Sequence, residues 1–163
     1  MISDGLVISL CCGLQGSTQS FIDYEVVSID IDIRVFPTIV ADVRYLPLRR
    51  GLRPRGLIMT PPCRYLSEGD WAFPRPGIKA DLEVVGACLE AVPYLMPGFW
   101  VLENPEGHLR KFMPSKKVLA KWKSYDMKKN ENLWTNRPRE LYRAFWPEEA
   151  SLAIQKTMEA TTS

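Results

Sequence analysis

The chain has little of what builds a metal site or a disulfide framework. Among its 163 residues there is one histidine, His108, and four cysteines, Cys11, Cys12, Cys63 and Cys88. The adjacent Cys11-Cys12 pair cannot act as a C-x-x-C ligand pair, and no other spacing matches a zinc ribbon or finger, so no structural metal is expected. No apolar run approaches the roughly 18 residues of a membrane span, which excludes a membrane-spanning helix. There are no internal repeats and no low-complexity segment. Neither sign of charge dominates: 21 Lys and Arg stand against 19 Asp and Glu. The opening Met1-Ile2-Ser3-Asp4 has no basic head of the kind an export signal carries. The expectation is a protein of the cytoplasm, or of the host-cell cytoplasm if viral, with its cysteines as thiols.

What remains is an ordinary globular composition, 46% hydrophobic and 25% charged. That length and balance predict one domain over residues 1–163, large enough to close a single core. The near-neutral net charge hides an asymmetry. Between Pro105 and Phe145 stand eleven Lys and Arg, including Lys116, Lys117 and Lys121, against four acids, interleaved with Phe112, Trp122, Tyr125, Trp134, Tyr142 and Phe145. Cations neutralise phosphates and flat rings stack on bases, so this stretch is a candidate nucleic-acid surface. The competing interpretation is a solvated face with its aromatics packed inward. A second basic cluster, Arg49, Arg50, Arg53 and Arg55, invites the same two interpretations.

Strand-like runs recur along the chain. Leu6–Leu10, Val26–Asp30, Thr38–Ala41, Gly56–Met59 and Phe99–Leu102 are short and apolar, as buried parallel strands are. Apolar residues at Leu82, Val85, Leu89 and Val92 predict a helix over Ile78–Val92. Further on, Ser115 is placed to cap a short helix carrying Val118, Leu119 and Trp122. Leu133–Thr135 reads as another strand, and Pro147-Glu148-Glu149 as a helix opening that runs to about Met158. Alternating strands and helices predict an α/β fold with a mostly parallel sheet, whose ligands belong at the carboxyl ends of the strands.

Those ends carry the unusual residues. After the first strand comes the turn Leu10-Cys11-Cys12-Gly13, continuing to Gly16-Ser17, where glycines allow close backbone approach to a ligand. The second strand ends at Asp30, placed to accept hydrogen bonds from a ribose diol, with Ile31 beside it and Asp32 as a rival acid. After the third come Asp42 and Val43. The fourth stops at Thr60-Pro61-Pro62-Cys63, two prolines holding a thiol stiffly at the rim of the sheet. A thiolate is an intrinsically strong nucleophile, and Arg64 is its neighbour. Against this stands the fact that cysteine thiols are among the most buried side chains. Cys88, on the apolar side of the predicted helix, fits that simple role. The fifth strand ends at Glu103-Asn104-Pro105, where a carboxylic acid beside an apolar strand is a candidate proton donor. His108 is expected at the surface or against substrate, not as a ligand.

The series glycine turn, acid, acid, Pro-Pro-Cys, Glu-Asn resembles the DNA cytosine-5 methyltransferases. Ser9-Leu10-Cys11-Cys12-Gly13 looks like their first motif. Thr60 to Ser67 is similar to their Pro-Pro-Cys-x-x-Phe-Ser nucleophile motif, and Glu103-Asn104-Pro105 to their Glu-Asn-Val. Leu133 to Asn136 matches the Leu-Trp-Thr-Asn of short, phage-type members. The resemblance implies a Rossmann-like S-adenosylmethionine-dependent methyltransferase fold, a mostly parallel central sheet flanked by helices. It implies S-adenosylmethionine as cofactor, held by Leu10, Cys11, Cys12, Gly13, Gly16, Ser17, Asp30, Ile31, Asp42, Val43 and Pro61. Cys63 would add to cytosine carbon 6 while Glu103 protonates or hydrogen-bonds ring nitrogen 3. DNA is the implied partner, with RNA left open, and Arg64, Ser67, Lys116, Lys117 and Lys121 as its contacts. Family members often carry an acid where Ser9 stands and a glycine where Gln15 stands, and their Gln-x-Arg-x-Arg motif has no clear match. A second expectation is therefore a catalytically impaired relative that binds S-adenosylmethionine, nucleic acid or both. A third is a Rossmann-type oxidoreductase that prefers NAD. No target-recognition domain of ordinary size fits after Glu103. Either specificity is low, or a second copy or a separate specificity subunit supplies the DNA reading.

Overall fold

The computed structural model describes residues 3–15, 18–66, 77–105, 107–113, 119–123, 130–135, 155–156 and 158–159. Seven strands form one sheet: β1 (Ser3–Leu10), β2 (Glu25–Asp30), β3 (Ile39–Val40), β4 (Pro54–Met59), β5 (Phe99–Pro105), β6 (Leu119–Lys123) and β7 (Asn130–Thr135), with one long helix, α1 (Ile78–Leu95), between β4 and β5. Their order is β3-β2-β1-β4-β5-β7-β6. The first five strands pair in parallel. β7 runs antiparallel between β5 and β6.

This is the expected Rossmann-like α/β arrangement. The chain lays down β1, moves outward through β2 to β3, then returns to place β4 on the other side of β1. The reversal between β1 and β4 leaves a crevice beyond their carboxyl ends, the standard ligand position in such sheets.

The sheet is covered on both faces, by unequal means. One face buries Ile8, Leu10, Leu57, Met59 and Leu102 under Val85, Cys88, Ala91 and Leu95 of α1. The other buries Val7, Ile58, Phe99 and Val101 under Phe21 and Met158. Among the described residues, α1 is the only α-helix longer than one turn. Among the described residues, the β1–β2, β2–β3 and β3–β4 connections are turns and short 3-10 segments, not the helices that strand alternation predicts. Phe21, 2% exposed, fills from a turn the space a helix would cover. Of the helix expected after Pro147, residues 155–156 and 158–159 are helical.

Two other expectations are corrected. The segment assigned to a helix capped by Ser115 contains β6, in which Leu119 pairs with Trp134 and Trp122 with Glu131 of β7. Ladder pairing to an adjacent strand outweighs a weak local helical pattern here. In α1 the deeply buried positions are Asp81, Val85, Cys88, Ala91 and Leu95. The buried stripe is thus rotated from the predicted one, with Leu82, Leu89 and Val92 at its margin. α1 also continues through Pro93 to Leu95. A proline in the last turn forfeits one hydrogen bond, and the helix ends by the left-handed residue Met96, whose N–H donates to the Val92 carbonyl at 2.9 Å.

Candidate functional site

At the carboxyl end of β1 the chain turns through Cys11, Gly13 and Gln15, all with positive φ, at 55°, 48° and 59°. Two of these are not glycine, and left-handed backbone at such residues costs on the order of 1 kcal/mol each, so the neighbours must enforce it. The Cys11 N–H donates to the Ile29 carbonyl at 2.9 Å. The Thr60 hydroxyl donates to the Cys11 carbonyl at 2.7 Å. The Gly13 N–H donates to Asp30 Oδ2 at 3.0 Å. The turn is thereby fastened to the ends of β2 and β4. Gln15 holds the backbone conformation that a glycine adopts without strain.

Asp30 is the hub of this corner. Its second oxygen, Oδ1, accepts the Asp32 N–H at 2.9 Å. An ionised carboxylate offers about four acceptor sites, so two remain for a ligand. Asp42 is more heavily committed. It caps the 3-10 turn Val43–Tyr45 by accepting the Arg44 N–H. It also accepts Arg44 Nε at 3.0 Å on each oxygen. The guanidinium hydrogen bonds hold the Asp42 carboxyl below its usual range. Asp32 and Arg34 repeat the clamp after β2 in an exposed setting, and hydrogen bonding from Arg34 lowers the Asp32 pKa to about 2.

Between these groups lies a cavity of about 290 Å³. It is lined by Cys11, Ile29, Asp30, Ile31, Ala41, Asp42, Val43, Arg44, Thr60, Pro62 and Val84. Five of the expected cofactor residues, Cys11, Asp30, Ile31, Asp42 and Val43, are therefore brought to one cavity. Leu10 and Cys12 are buried and are not among its lining residues. Gly13 is tied to it through Asp30. Pro61 is buried next to the lining residue Pro62. Gly16 and Ser17 lie outside the described residues.

The second part of the site is the segment after β4. Met59 pairs with Leu102 of β5, so the chain leaves β4 at Thr60 beside Glu103. The buried Asn104 side chain donates from Nδ2 to the Pro61 carbonyl at 3.1 Å and ties the two strand ends together. The Thr60 N–H donates to the Leu10 carbonyl at 3.1 Å. Beyond the prolines, Cys63 to Leu66 forms a turn closed by the Leu66 N–H on the Cys63 carbonyl at 3.0 Å, and the His108 N–H takes the Leu66 carbonyl at 2.7 Å. The Tyr65 N–H donates to Asp81 Oδ2 at 2.9 Å. Cys63 thus projects from a segment gripped by β1, β5, α1 and the turn at His108. Cys63 and Glu103 are both half-buried. Arg64 is exposed, its guanidinium 5.4 Å from the Tyr65 ring centroid.

Of the expected nucleic-acid contacts, Lys121 sits in edge strand β6 opposite Asn132. Ser67, Lys116 and Lys117 lie outside the described residues. Among the described residues no cluster of His, Cys, Asp and Glu is arranged to hold a metal. None of the described helices is long and apolar enough to cross a membrane.

No cysteine is in a disulfide, and the four thiols differ in setting. Cys88 is fully buried, its Sγ 4.0 Å from Cys11 Sγ. The hydrogen bond with Cys11, reinforced by burial, pushes its pKa well above the usual thiol value. Burial, then the Asp30 charge, also raises Cys12. Because the thiolate is the reactive form, iodoacetamide near neutral pH should alkylate Cys63 before Cys12 and Cys88, and label all four in urea. Peptide mapping that found Cys88 labelled as fast as Cys63 in the native protein would contradict this packing.

The sequence did not single out Asp81, Thr60 or Asn104 as organisers of the site. Asp81 had a usable signal, an acid on the apolar stripe of its helix. Arg44 also had one, in the repeated Asp-x-Arg of Asp32-Ile33-Arg34 and Asp42-Val43-Arg44.

No family model matches the chain, and no curated protein matches it. The fold rests on its own strand pairings. Among solved structures the chain is similar to one described as "DhpI-SAM-HEP complex", at 13% identity and a TM-score of 0.38, over 96% of this chain and 70% of that one.

Proposed function

We propose that the protein is an S-adenosylmethionine-dependent methyltransferase that modifies carbon 5 of cytosine in DNA through a covalent adduct on Cys63. The observation that carries this reading is the joined strand end. Pro61-Pro62-Cys63 leaves β4 beside Glu103, and the Asn104–Pro61 hydrogen bond fixes the two segments together.

The residues present fit the cofactor. Ligand pockets usually begin near about 300 Å³, and this cavity has that size at the crevice where α/β sheets bind nucleotides. Asp30 retains acceptor capacity for a ribose diol, and Ile31 and Val43 supply apolar surface for a base. When bound, S-adenosylmethionine supplies an electrophilic methyl group on a sulfonium.

Carbon 5 of cytosine is too weak a nucleophile to take that methyl group unaided. Cys63 thiolate forms a bond to carbon 6, and the electron pair of the 5,6 double bond becomes available at carbon 5. Glu103, donating a proton or hydrogen bond to ring nitrogen 3, stabilises the charge that develops on the ring. After methylation, loss of the carbon 5 proton to water restores the double bond and expels Cys63 as thiolate, and any proton on ring nitrogen 3 returns to Glu103. The target base must leave the helix stack to reach the site. Arg64 and the basic stretch containing Lys116, Lys117 and Lys121 are assigned to the DNA backbone.

A second reading, a relative that binds cofactor without turnover, is favoured by two observations. Ser9 stands buried where the family often has an acid, and its hydroxyl has no hydrogen-bond partner. The acceptors of Asp42 are committed to Arg44. One experiment separates the two. Protein incubated with methyl-labelled S-adenosylmethionine and duplex or single-stranded DNA should yield labelled 5-methylcytosine on nucleoside analysis. Tight cofactor binding without label in any nucleic acid establishes the second reading instead.

A further inference from the structure

We infer that Asp81 is a positioning residue for the nucleophile segment, acting through the Tyr65 N–H rather than as a part of the helix it belongs to. This deepens the methyltransferase reading and rests on it for the identity of the nucleophile, Cys63.

Asp81 sits in the first turn of α1 and is only 7% exposed. It occupies the stripe that otherwise holds Val85, Cys88, Ala91 and Leu95, where an apolar side chain would pack without penalty. A buried carboxylate is unfavourable unless hydrogen-bonded. Consistent with that, burial raises its pKa, while the Tyr65 N–H and the nearby Arg64 charge pull it back. The Asp81 carboxylate reaches across to the next-but-one residue after Cys63, 2.9 Å from the Tyr65 N–H.

A second observation points to the same contact. A Cβ placed on Gly77 would fall within the Tyr65 ring, so the start of α1 is shaped around that side chain. Tyr65 is thus held at its backbone by Asp81 and at its ring by the glycine one turn earlier. Other grips on the segment are Thr60 on Leu10, Asn104 on Pro61 and His108 on Leu66.

The test compares Asp81→Ala and Asp81→Asn in the full chain by amide hydrogen exchange and steady-state kinetics. Asp81→Ala should speed exchange in peptides covering residues 63–66 by at least about tenfold, with β1 and β4 protection unchanged. Methyl transfer should fall about 10- to 100-fold in kcat, with the KM for S-adenosylmethionine within about twofold, because only the nucleophile is displaced. Asp81→Asn keeps an acceptor oxygen and should restore most of both. Unchanged exchange at residues 63–66 in Asp81→Ala overturns the inference. So does loss of β1 and β4 protection together with cofactor binding, which marks a role in the core alone. If the wild-type chain transfers no methyl group, the methyltransferase reading fails, and the exchange measurement still decides whether Asp81 holds the turn.

Discussion

Cys63→Ser should lower methyl transfer to DNA by at least about a thousandfold, equivalent to roughly 4 kcal/mol of transition-state stabilisation. The hydroxyl is close in size to the thiol, yet it is a far weaker nucleophile at neutral pH. The segment around it is anchored at backbone atoms of Thr60, Pro61, Tyr65 and Leu66. Thermal stability should therefore stay close to wild type. Cofactor affinity should also be retained, because Cys63 is outside the group of residues that line the cavity. A kcat loss with unchanged S-adenosylmethionine affinity is the signature of a group that acts only in the chemical step. A serine variant that kept a tenth or more of wild-type transfer would remove Cys63 from the mechanism.

Asp30→Ala should act on the other half of the site, weakening S-adenosylmethionine by about 100-fold or more in calorimetry. Two contributions combine. The cofactor loses a charged acceptor, worth roughly 1.5–3 kcal/mol. The Gly13 and Asp32 N–H groups also lose theirs. The turn at Cys11, Gly13 and Gln15 is then held in its left-handed conformations by fewer contacts, so the cavity wall itself loosens. Asp30→Asn retains one acceptor oxygen and should fall between wild type and alanine. An Asp30→Ala protein that binds S-adenosylmethionine as tightly as wild type would show that the cavity at the β2 end is not the cofactor site.

The parallel sheet was legible because its strands are apolar on both faces. Leu6–Leu10 and Gly56–Met59 lie in the middle of the sheet, with no polar face to confuse the pattern. The strand-end residues Asp30, Asp42, Cys63 and Glu103 could be placed on one rim for the same reason, since the ends of apolar runs mark the ends of strands. What escaped was decided by distant partners. Leu119–Lys123 is a strand because β7 pairs with it, and no local propensity announces that partner. Among the described residues of the β1–β2 connection there is no α-helix, and Phe21 covers the sheet from a turn, a role set by the residues beneath it. Asp81 stands at helical spacing from Val85 and Cys88, and its role became visible only through the Tyr65 N–H, a partner that the helix pattern does not announce. Gln15 was noticed only as a departure from a family pattern. Its left-handed backbone gives a physical reason why glycine suits that position.

The central claim is that Cys63 bonds to the cytosine ring, and trapping that bond tests it most directly. Native protein with S-adenosylmethionine and DNA containing 5-fluorocytosine should form a complex that survives denaturation, because fluorine at carbon 5 cannot leave as the proton does. Peptide mapping should place the nucleotide on Cys63, and Cys63→Ser should give no complex. Folded, cofactor-binding protein that forms no adduct, or an adduct on any other residue, would contradict the account.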